Sequence, residues 1–330
     1  MSWCWWVEIR LGVYGNHSPF PCCNALHFRT VNTPSGTKPP APLAVVTVTY
    51  NPGRHLPALA KSLGAATQGL TVLVCADNGS TDGVAQQLAQ QQENVTYLPT
   101  GGNIGYGPAI NAAARALAQQ RATGEINTDY FLVVNPDVEF TPGSIDRLIE
   151  CAKTNPRAGA VGPRIEEADG SAYPSAREVP TLLTGIGHAV LYPFWPGNPF
   201  SKAYKAGEDL SRRRQAGWLS GSCLLVRWDA FDAIGGFDER YFMYFEDIDF
   251  GDRLTRAGWQ NIFTPEAIIA HDQGHSAKKY SAVTVPAHHD SAYRFQADRL
   301  PYWWQAPVRA ALWAGLKGRA LLMRLLGRSE

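Results

Sequence analysis

From residue 43 to about residue 160, short apolar runs alternate with stretches of helical period, the pattern of a layered α/β domain. LAVVTVTYN (Leu43 to Asn51) is a continuous β-branched run, as in a strand buried on both faces. A helix is expected over His55 to Thr67, then a second strand, LTVLVCADNGS (Leu70 to Ser80), and a helix through Val84 to Gln92. A short strand at Val95 to Leu98 feeds GGNIGYGPAINAAARALAQQ, a glycine loop that opens a helix from about Pro108. The fourth strand reads DYFLVVNPDVEF (Asp129 to Phe140), with a helix starting near Thr141 and Pro142. Such alternation predicts an α/β fold with a Rossmann-like, mostly parallel central sheet and helices on both faces. Ligands then bind beyond the C-terminal ends of the strands.

After Val161 the alternation weakens, and residues 170 to 215 are rich in Pro, Gly and aromatic residues, as in lids and specificity walls. SCLLVRW (Ser222 to Trp228) is strand-like and Asp229 to Ile234 a short helix. YFMYFEDIDFGDRL (Tyr241 to Leu254) starts a helix running to Arg256, with Gly258 as its stop. NIFTPEAIIAH is a further strand that delivers His271, followed by His275. From Pro307 the chain plots as a helix with Val308, Leu312, Leu316, Leu322, Met323 and Leu326 on one side. Lys317, Arg324 and Arg328 group opposite, and Arg319 intrudes on the apolar side. Residues 1 to 40 show no clear period and end in NTPSGTKPPAP, a linker, so they read as an appendage.

Composition narrows the classes. At 330 residues, 45% hydrophobic and 18% charged, the chain can bury a full core, and a net charge of +1 gives no reason to expect nucleic acid as a partner. Six scattered cysteines without CxxC spacing suit a reducing compartment. Glu8 and Arg10 break the first apolar run, and no run of 18 apolar residues exists, so any membrane contact is expected to be peripheral. The tail from Pro307 carries Arg309, Lys317, Arg319, Arg324 and Arg328 against Glu330 alone. It suits an anionic membrane surface, or docking on the chain's own core.

Three strand ends carry polar groups and together predict one cleft: Thr49, Tyr50 and Asn51; Asp77, Asn78, Gly79 and Ser80; Asn135, Pro136 and Asp137. Asp77 suits a ribose or base imide edge, and equally an Asx turn. The loop holding Gly101, Gly102, Asn103, Gly105 and Gly107 can present N–H groups to phosphate, but it fits neither GxGxxG nor a P-loop. That weighs against a nicotinamide-dependent oxidoreductase. Asp137 with substrate phosphates suffices for Mg²⁺ or Mn²⁺, and His271 offers an imidazole or a core histidine. Arg212, Arg213 and Arg214 suit a diphosphate, or form a solvated charge run. Glu246, Asp247, Asp249 and Asp252 sit among Phe242, Met243, Tyr244, Phe245 and Phe250. A carboxylate there serves as a general base, or simply as the acidic first turn of a helix.

The ordered series VVTVTYN, ADNGSTD, GGNIGYGPAINAA, VVNPDV, WLSGSCLLVRW, IGGFDERYFMYFEDIDFGDRLTRAGW and AHDQGHS, over about residues 43 to 280, resembles the family 2 glycosyltransferases of GT-A fold, in their rhamnosyltransferase-like branch. The resemblance implies a catalytic domain over 41–280, with a nucleotide-sugar half (41–160) and an acceptor half (161–280), and a helical, membrane-associating segment over 281–330. By resemblance Asp247 is the general base and Glu246 its partner in the ED motif. Thr49, Tyr50, Asn51, Asp77, Asn78, Gly79, Asn103, Gly105 and Asn135 line the donor pocket. Asn135 stands where the family has the first Asp of its DXD motif, leaving Asp137 as the main ligand for Mn²⁺ or Mg²⁺, with His271 completing it. Trp218, Ser220, Gly221, Arg212 and Arg213 fall on the acceptor side. The implied donor is dTDP-L-rhamnose and the implied acceptor a polyprenyl-diphosphate-linked GlcNAc of the arabinogalactan linker, at the inner face of the plasma membrane. A relative using UDP-galactofuranose, or a noncatalytic nucleotide-sugar binder, is the alternative.

Overall fold

The computed structural model describes residues 40–325 apart from 168, 192–194, 205–208 and 272–280. Trp3, Trp5, Trp6, His275, Leu326 and Arg328 therefore lie outside the described residues. The first half follows the sequence pattern closely: β1 (Leu43–Thr49), α1 (His55–Ala66), β2 (Thr71–Asp77), α2 (Val84–Gln91), β3 (Val95–Pro99), α3 (Tyr106–Ala116) and the short α4 (Ala118–Thr123). Strands β3, β2, β1 and β4 (Tyr130–Val134) pair in parallel in that order. Successive β1 residues go to opposite layers. Val45 joins Leu56, Leu59 and Leu63 of α1, whereas Ala44 and Val46 join Ala109, Ile110 and Ala113 of α3. Burial on both faces is why this strand reads as an unbroken apolar run. Each such Val contributes roughly 1.5–3 kcal/mol relative to exposure.

The expected fourth strand is two strands. Asn135–Asp137 form a turn after β4, and β5 (Val138–Phe140) leaves its line. Pro136 brings no N–H to a ladder, so the break falls there. α5 (Ser144–Thr154) follows, then β6 (Ala158–Glu166), β7 (Ala172–Tyr173), β8 (Ala176–Arg177), α6 (Leu182–Leu191), α7 (Pro199–Tyr204), β9 (Arg214–Ala216), β10 (Trp218–Leu219), β11 (Cys223–Arg227) and α8 (Trp228–Ala233). The described residues of the stretch 170–215 thus form short helices and strands. Antiparallel pairing enters at β11, which lies between β4 and β6. Beyond β6 the sheet continues through β12 (Gln260–His271) to β5 at its edge. β8 and β10 form a separate two-stranded ribbon.

Between β11 and β12, α9 (Glu246–Arg256) carries the acidic stretch. Glu246, Asp247 and Asp249 occupy its first turn, with Arg253 and Arg256 in its last, so both ends complement the helix dipole. Asp249 pairs with Arg253 at 2.6 Å and Asp252 with Arg256 at 2.5 Å, which assigns these two carboxylates to structure. Gly258 adopts φ +87° just past the helix end, as expected for a stop.

The segment expected to be helical over 281–330 opens with α10 (Ser281–Ala297), whose bounds no clear period marks. Its Phe295 is buried among Trp218, Tyr241, Phe245 and Ile248, and its Ser291 hydroxyl donates to the Met243 carbonyl at 2.9 Å. α11 (Ala306–Leu325) packs on α10. Leu312 and Leu316 are half-buried and Ala320 is buried, so the apolar stripe expected to face a membrane is turned in part onto the protein itself. Val308, Trp313 and Leu321 stay exposed, next to Tyr302, Trp303 and Trp304 ahead of the helix.

Candidate active site

The parallel strands end where the sequence reading put the cleft. Thr49, fully buried, donates from its hydroxyl to Asp77 at 2.7 Å. Asp77 also accepts the Ser80 N–H at 3.0 Å, the Ser80 hydroxyl and the Tyr97 hydroxyl at 3.3 Å. A carboxylate has about four acceptor sites, so an incoming base must displace one of these donors. The Ser80 bond is the Asx turn that the sequence left open. Asn51, at φ +51°, takes the Thr81 N–H on its side-chain oxygen at 2.8 Å and fastens the loop after β2. Tyr50 is 44% exposed at the cleft edge. Gly79 passes close to Gly102, whose Cα lies 3.6 Å from where a Cβ would stand.

Asn78 ties the two donor loops together. Its amide nitrogen donates to the Gly105 carbonyl at 3.1 Å and more weakly to Asn103 at 3.4 Å. Asn103 itself is exposed. Gly105 has φ +100°, and a Cβ there would meet the Phe242 carbonyl oxygen at 2.6 Å. Only glycine allows this approach, in which the Tyr106 N–H donates to the same oxygen at 3.1 Å. The glycine loop and the acidic segment are thereby joined.

That segment is strained. Tyr244 (φ +66°) and Phe245 (φ +65°) are consecutive left-handed residues with bulky side chains, each costing about 1–2 kcal/mol. The kink starts α9 abruptly and sets the Asp247 carboxylate at its N-terminus. One oxygen accepts the Ile248 N–H at 2.8 Å and the other the Gly221 N–H at 3.0 Å. Gly221 is held in turn by the Tyr106 hydroxyl, which donates to its carbonyl at 2.7 Å. Protein crowds Asp247 closely, yet the residue keeps a solvent-reached edge. Burial holds its carboxyl above the usual range, while the Gly221 and Ile248 N–H groups and the Arg177 cation pull the other way. Glu246 is pushed well above the ordinary range by burial first and by the Asp247 charge second. Its Oε2 is buried without a hydrogen-bond partner among the described residues.

The divided fourth strand assembles the third corner. β5 pairs with the end of β12 so that Val138 stands opposite His271. The His271 Nε2 lies 3.0 Å from Asp137 Oδ1. Carboxylate oxygen and imidazole nitrogen make a donor set suited to Mn²⁺ or Mg²⁺. Among the described residues no group of three or more His, Cys, Asp or Glu side chains could enclose an ion, so the pair fits one completed by substrate phosphates. Asn135 is engaged through its backbone N–H, which donates to the Ser222 carbonyl at 2.9 Å.

Of the residues expected on the acceptor side, Trp218 packs under α9 and donates its indole N–H to the Glu178 carbonyl at 3.1 Å. Ser220 contacts Ser222, hydroxyl to hydroxyl, at 3.1 Å. Arg212 and Arg213 are not joined to these groups by any contact among the described residues. Arg212 bonds Asp209 at 3.0 Å and Arg213 pairs with Glu266 at 3.8 Å. Two participants escaped the sequence reading: Tyr106, which supports Gly221, and Arg177, the cation acting on Asp247. Arg177 sits on a two-residue strand with no readable period.

The model for "Glycosyl transferase family 2" matches residues 44–235, and that for "Glycosyl transferase family group 2" matches residues 202–283. N-acetylglucosaminyl-diphospho-decaprenol L-rhamnosyltransferase of Mycobacterium tuberculosis (strain ATCC 25618 / H37Rv) is 50% identical over 283 residues, 85% of this chain and 92% of that one. Rhamnosyltransferase WbbL of Escherichia coli (strain K12) is 24% identical over 256 residues, 77% of this chain and 92% of that one. Among solved structures, GalNAc-T7 with UDP, GalNAc and Mn2+ superposes with a TM-score of 0.51 at 13% identity, covering 71% of this chain and 44% of that one, a likeness of fold.

Proposed function

Because this chain belongs to glycosyl transferase family 2 and has the GT-A fold, we propose that it is an inverting L-rhamnosyltransferase acting from dTDP-L-rhamnose onto a GlcNAc-diphospho-polyprenol. The donor and acceptor are carried over from the mycobacterial relative and from the rhamnosyltransferase-like motifs. The observation that carries the reading is Asp247. Its carboxylate is fixed by the Gly221 and Ile248 N–H groups at 3.0 and 2.8 Å, at a helix N-terminus beside the donor loops.

In the proposed reaction the acceptor hydroxyl oxygen bonds to the anomeric carbon as the bond from that carbon to the diphosphate breaks, its electron pair leaving with dTDP. Asp247 takes the hydroxyl proton. Two N–H donors and the helix dipole keep it ionised, and burial raises its basicity; such a base contributes about 10²–10⁴-fold. Glu246, with its unpartnered oxygen, orients the acceptor hydroxyls. Asp137 and His271 would hold Mn²⁺ or Mg²⁺, which when bound supplies positive charge to the leaving diphosphate. Thr49, Tyr50, Asn51, Asp77 and Asn78 shape the nucleotide end, Gly79, Asn103, Gly105 and Asn135 the phosphate end, and Trp218, Ser220 and Gly221 the acceptor side.

The lipid-linked acceptor puts the chain at a membrane surface, proposed to be the cytoplasmic face. Among the described residues no helix is long and apolar enough to cross a membrane. Exposed Tyr302, Trp303, Trp304 and Trp313 support peripheral contact, since aromatic rings favour the headgroup level. The deciding experiment pairs a thermal-shift panel of dTDP-, UDP- and GDP-sugars with Mn²⁺ and a transfer assay on GlcNAc-diphospho-lipid. At a hundredfold excess over Kd the true donor stabilises by about 2.7 kcal/mol, roughly 5–10 °C. Stabilisation by UDP-galactofuranose instead, with no rhamnose transferred, refutes the assignment.

A further inference from the structure

Resting on the proposed lipid-diphosphate acceptor, we propose that Arg177 binds the diphosphate of that acceptor and that the apolar cavity beside the next residues of the chain seats its first isoprene units. The ribbon register sets Arg177 opposite Trp218, three residues before the Gly221 that holds Asp247. The Arg177 Nε donates to the Pro174 carbonyl at 3.0 Å, which fixes the plane of the guanidinium, and the Tyr173 ring lies 5.9 Å below. No carboxylate pairs with Arg177 among the described residues, in contrast to Arg212, Arg213, Arg253 and Arg256. A half-exposed, oriented guanidinium with two uncommitted amino groups, on the strand paired with the one that leads to Gly221, is suited to a bidentate phosphate contact.

Immediately downstream the chemistry changes. Val179, Pro180, Leu182 and Leu300, with Thr181, Gln296 and Arg299, line a cavity of about 290 Å³. Gln296 donates to the Pro180 carbonyl at 3.2 Å, the Thr181 hydroxyl pairs with that of Thr184 at 2.9 Å, and Arg299 is engaged by Asp252 and by the Phe295 ring, so each of the three polar side chains already has a partner. At about 30 Å³ per water-sized element the space takes on the order of ten carbon atoms, two isoprene units. Leu300 leads within three residues to exposed Tyr302 and Trp303, where a longer chain would pass to the bilayer. Sugar at Asp247, diphosphate at Arg177 and isoprenoid in the cavity follow the order of the groups in a glycosyl-diphospho-lipid. Charge and apolarity both match along one track.

Three acceptors test this: GlcNAc-diphospho-decaprenol, GlcNAc-diphosphate carrying an ethyl group, and octyl GlcNAc, which lacks the diphosphate. Arg177→Ala lowers kcat/KM about ten- to a hundredfold more for both diphosphate acceptors than for octyl GlcNAc, on which only the loss of the cation's influence on Asp247 is felt. Leu300→Trp, which fills the cavity, lowers it about tenfold for the decaprenyl acceptor alone, and Leu182→Trp does the same from the other wall. Stabilisation by dTDP with Mn²⁺ reports that each variant is folded. Equal losses on all three acceptors, or none on any, overturn the track while leaving the transferase reading intact. A parent chain that transfers rhamnose to none of the three overturns both.

Discussion

Replacing Asp247 by Asn changes one oxygen to an amino group and tests the centre of the proposed chemistry. The carboxylate accepts from Gly221 on one oxygen and Ile248 on the other. Asparagine can satisfy only one of these N–H groups and turns a donor toward the second, a loss of about 1–3 kcal/mol. Against this, the variant removes the charge that helps push Glu246 upward, so the two effects offset and Tm should move by less than about 4 °C. The catalytic effect is not offset. With no base, kcat should fall by about 10²–10⁴-fold, some 3–5 kcal/mol of barrier. Labelled rhamnose passing from dTDP-L-rhamnose into extractable lipid measures the rate, and thermal shift measures donor binding. Because burial raises the Asp247 carboxyl, the parent should lose activity as pH falls through a limb above the usual carboxylate range, and the residual activity of Asp247→Asn should lack that limb. Transfer within about threefold of the parent, with donor binding intact, would refute Asp247 as the base.

Four further outcomes follow from the same geometry. Glu246 binds its proton more tightly folded than unfolded, so its burial subtracts stability as pH rises from about 4 toward the raised value. Glu246→Gln should therefore raise the neutral-pH unfolding free energy by roughly 1–3 kcal/mol, a gain that vanishes below about pH 4 in denaturant titrations. Gly105→Ala forces a Cβ to 2.6 Å from the Phe242 oxygen at φ +100°, and should cost about 2–4 kcal/mol in chemical denaturation and lower kcat. Asp137→Ala should weaken Mn²⁺ binding about ten- to a hundredfold in calorimetry with dTDP present; unchanged affinity would remove it from the metal site. Trp303→Ser with Trp304→Ser should reduce co-sedimentation with anionic vesicles about tenfold, and undiminished binding would move the membrane face elsewhere.

Much of the N-terminal half was legible because its signals are local. β1 is buried on both faces, so its position is written as an unbroken apolar run, and the polar residues that end β1, β2 and β4 follow directly at the strand ends. The acidic stretch also declared itself, through carboxylates set among aromatic residues. The C-terminal half was harder. α10 contains Pro286 and lacks a clear apolar stripe, since it buries a few aromatic and polar contacts instead of a continuous face. Arg212 and Arg213 drew notice as a cluster, yet each has a carboxylate partner in the fold, whereas Arg177, isolated in the sequence, is the cation whose charge counts at Asp247.

The amino-acid sequence alone determined the family, the layered α/β order and the carboxylates able to do chemistry, because periodicity and motif spacing are properties of neighbouring residues. Tertiary structure decided how each of those carboxylates is engaged. Asp249 and Asp252 are neutralised by arginines one helical turn away, while Asp247 is held by N–H groups from α9 and from Gly221, 26 residues earlier in the chain. It also decided that Asp137 meets His271, 134 residues away, because the turn at Asn135–Asp137 frees β5 to pair with β12. Strand pairing between distant segments depends on which edges and faces remain uncovered once the rest of the core has formed. No local pattern encodes that.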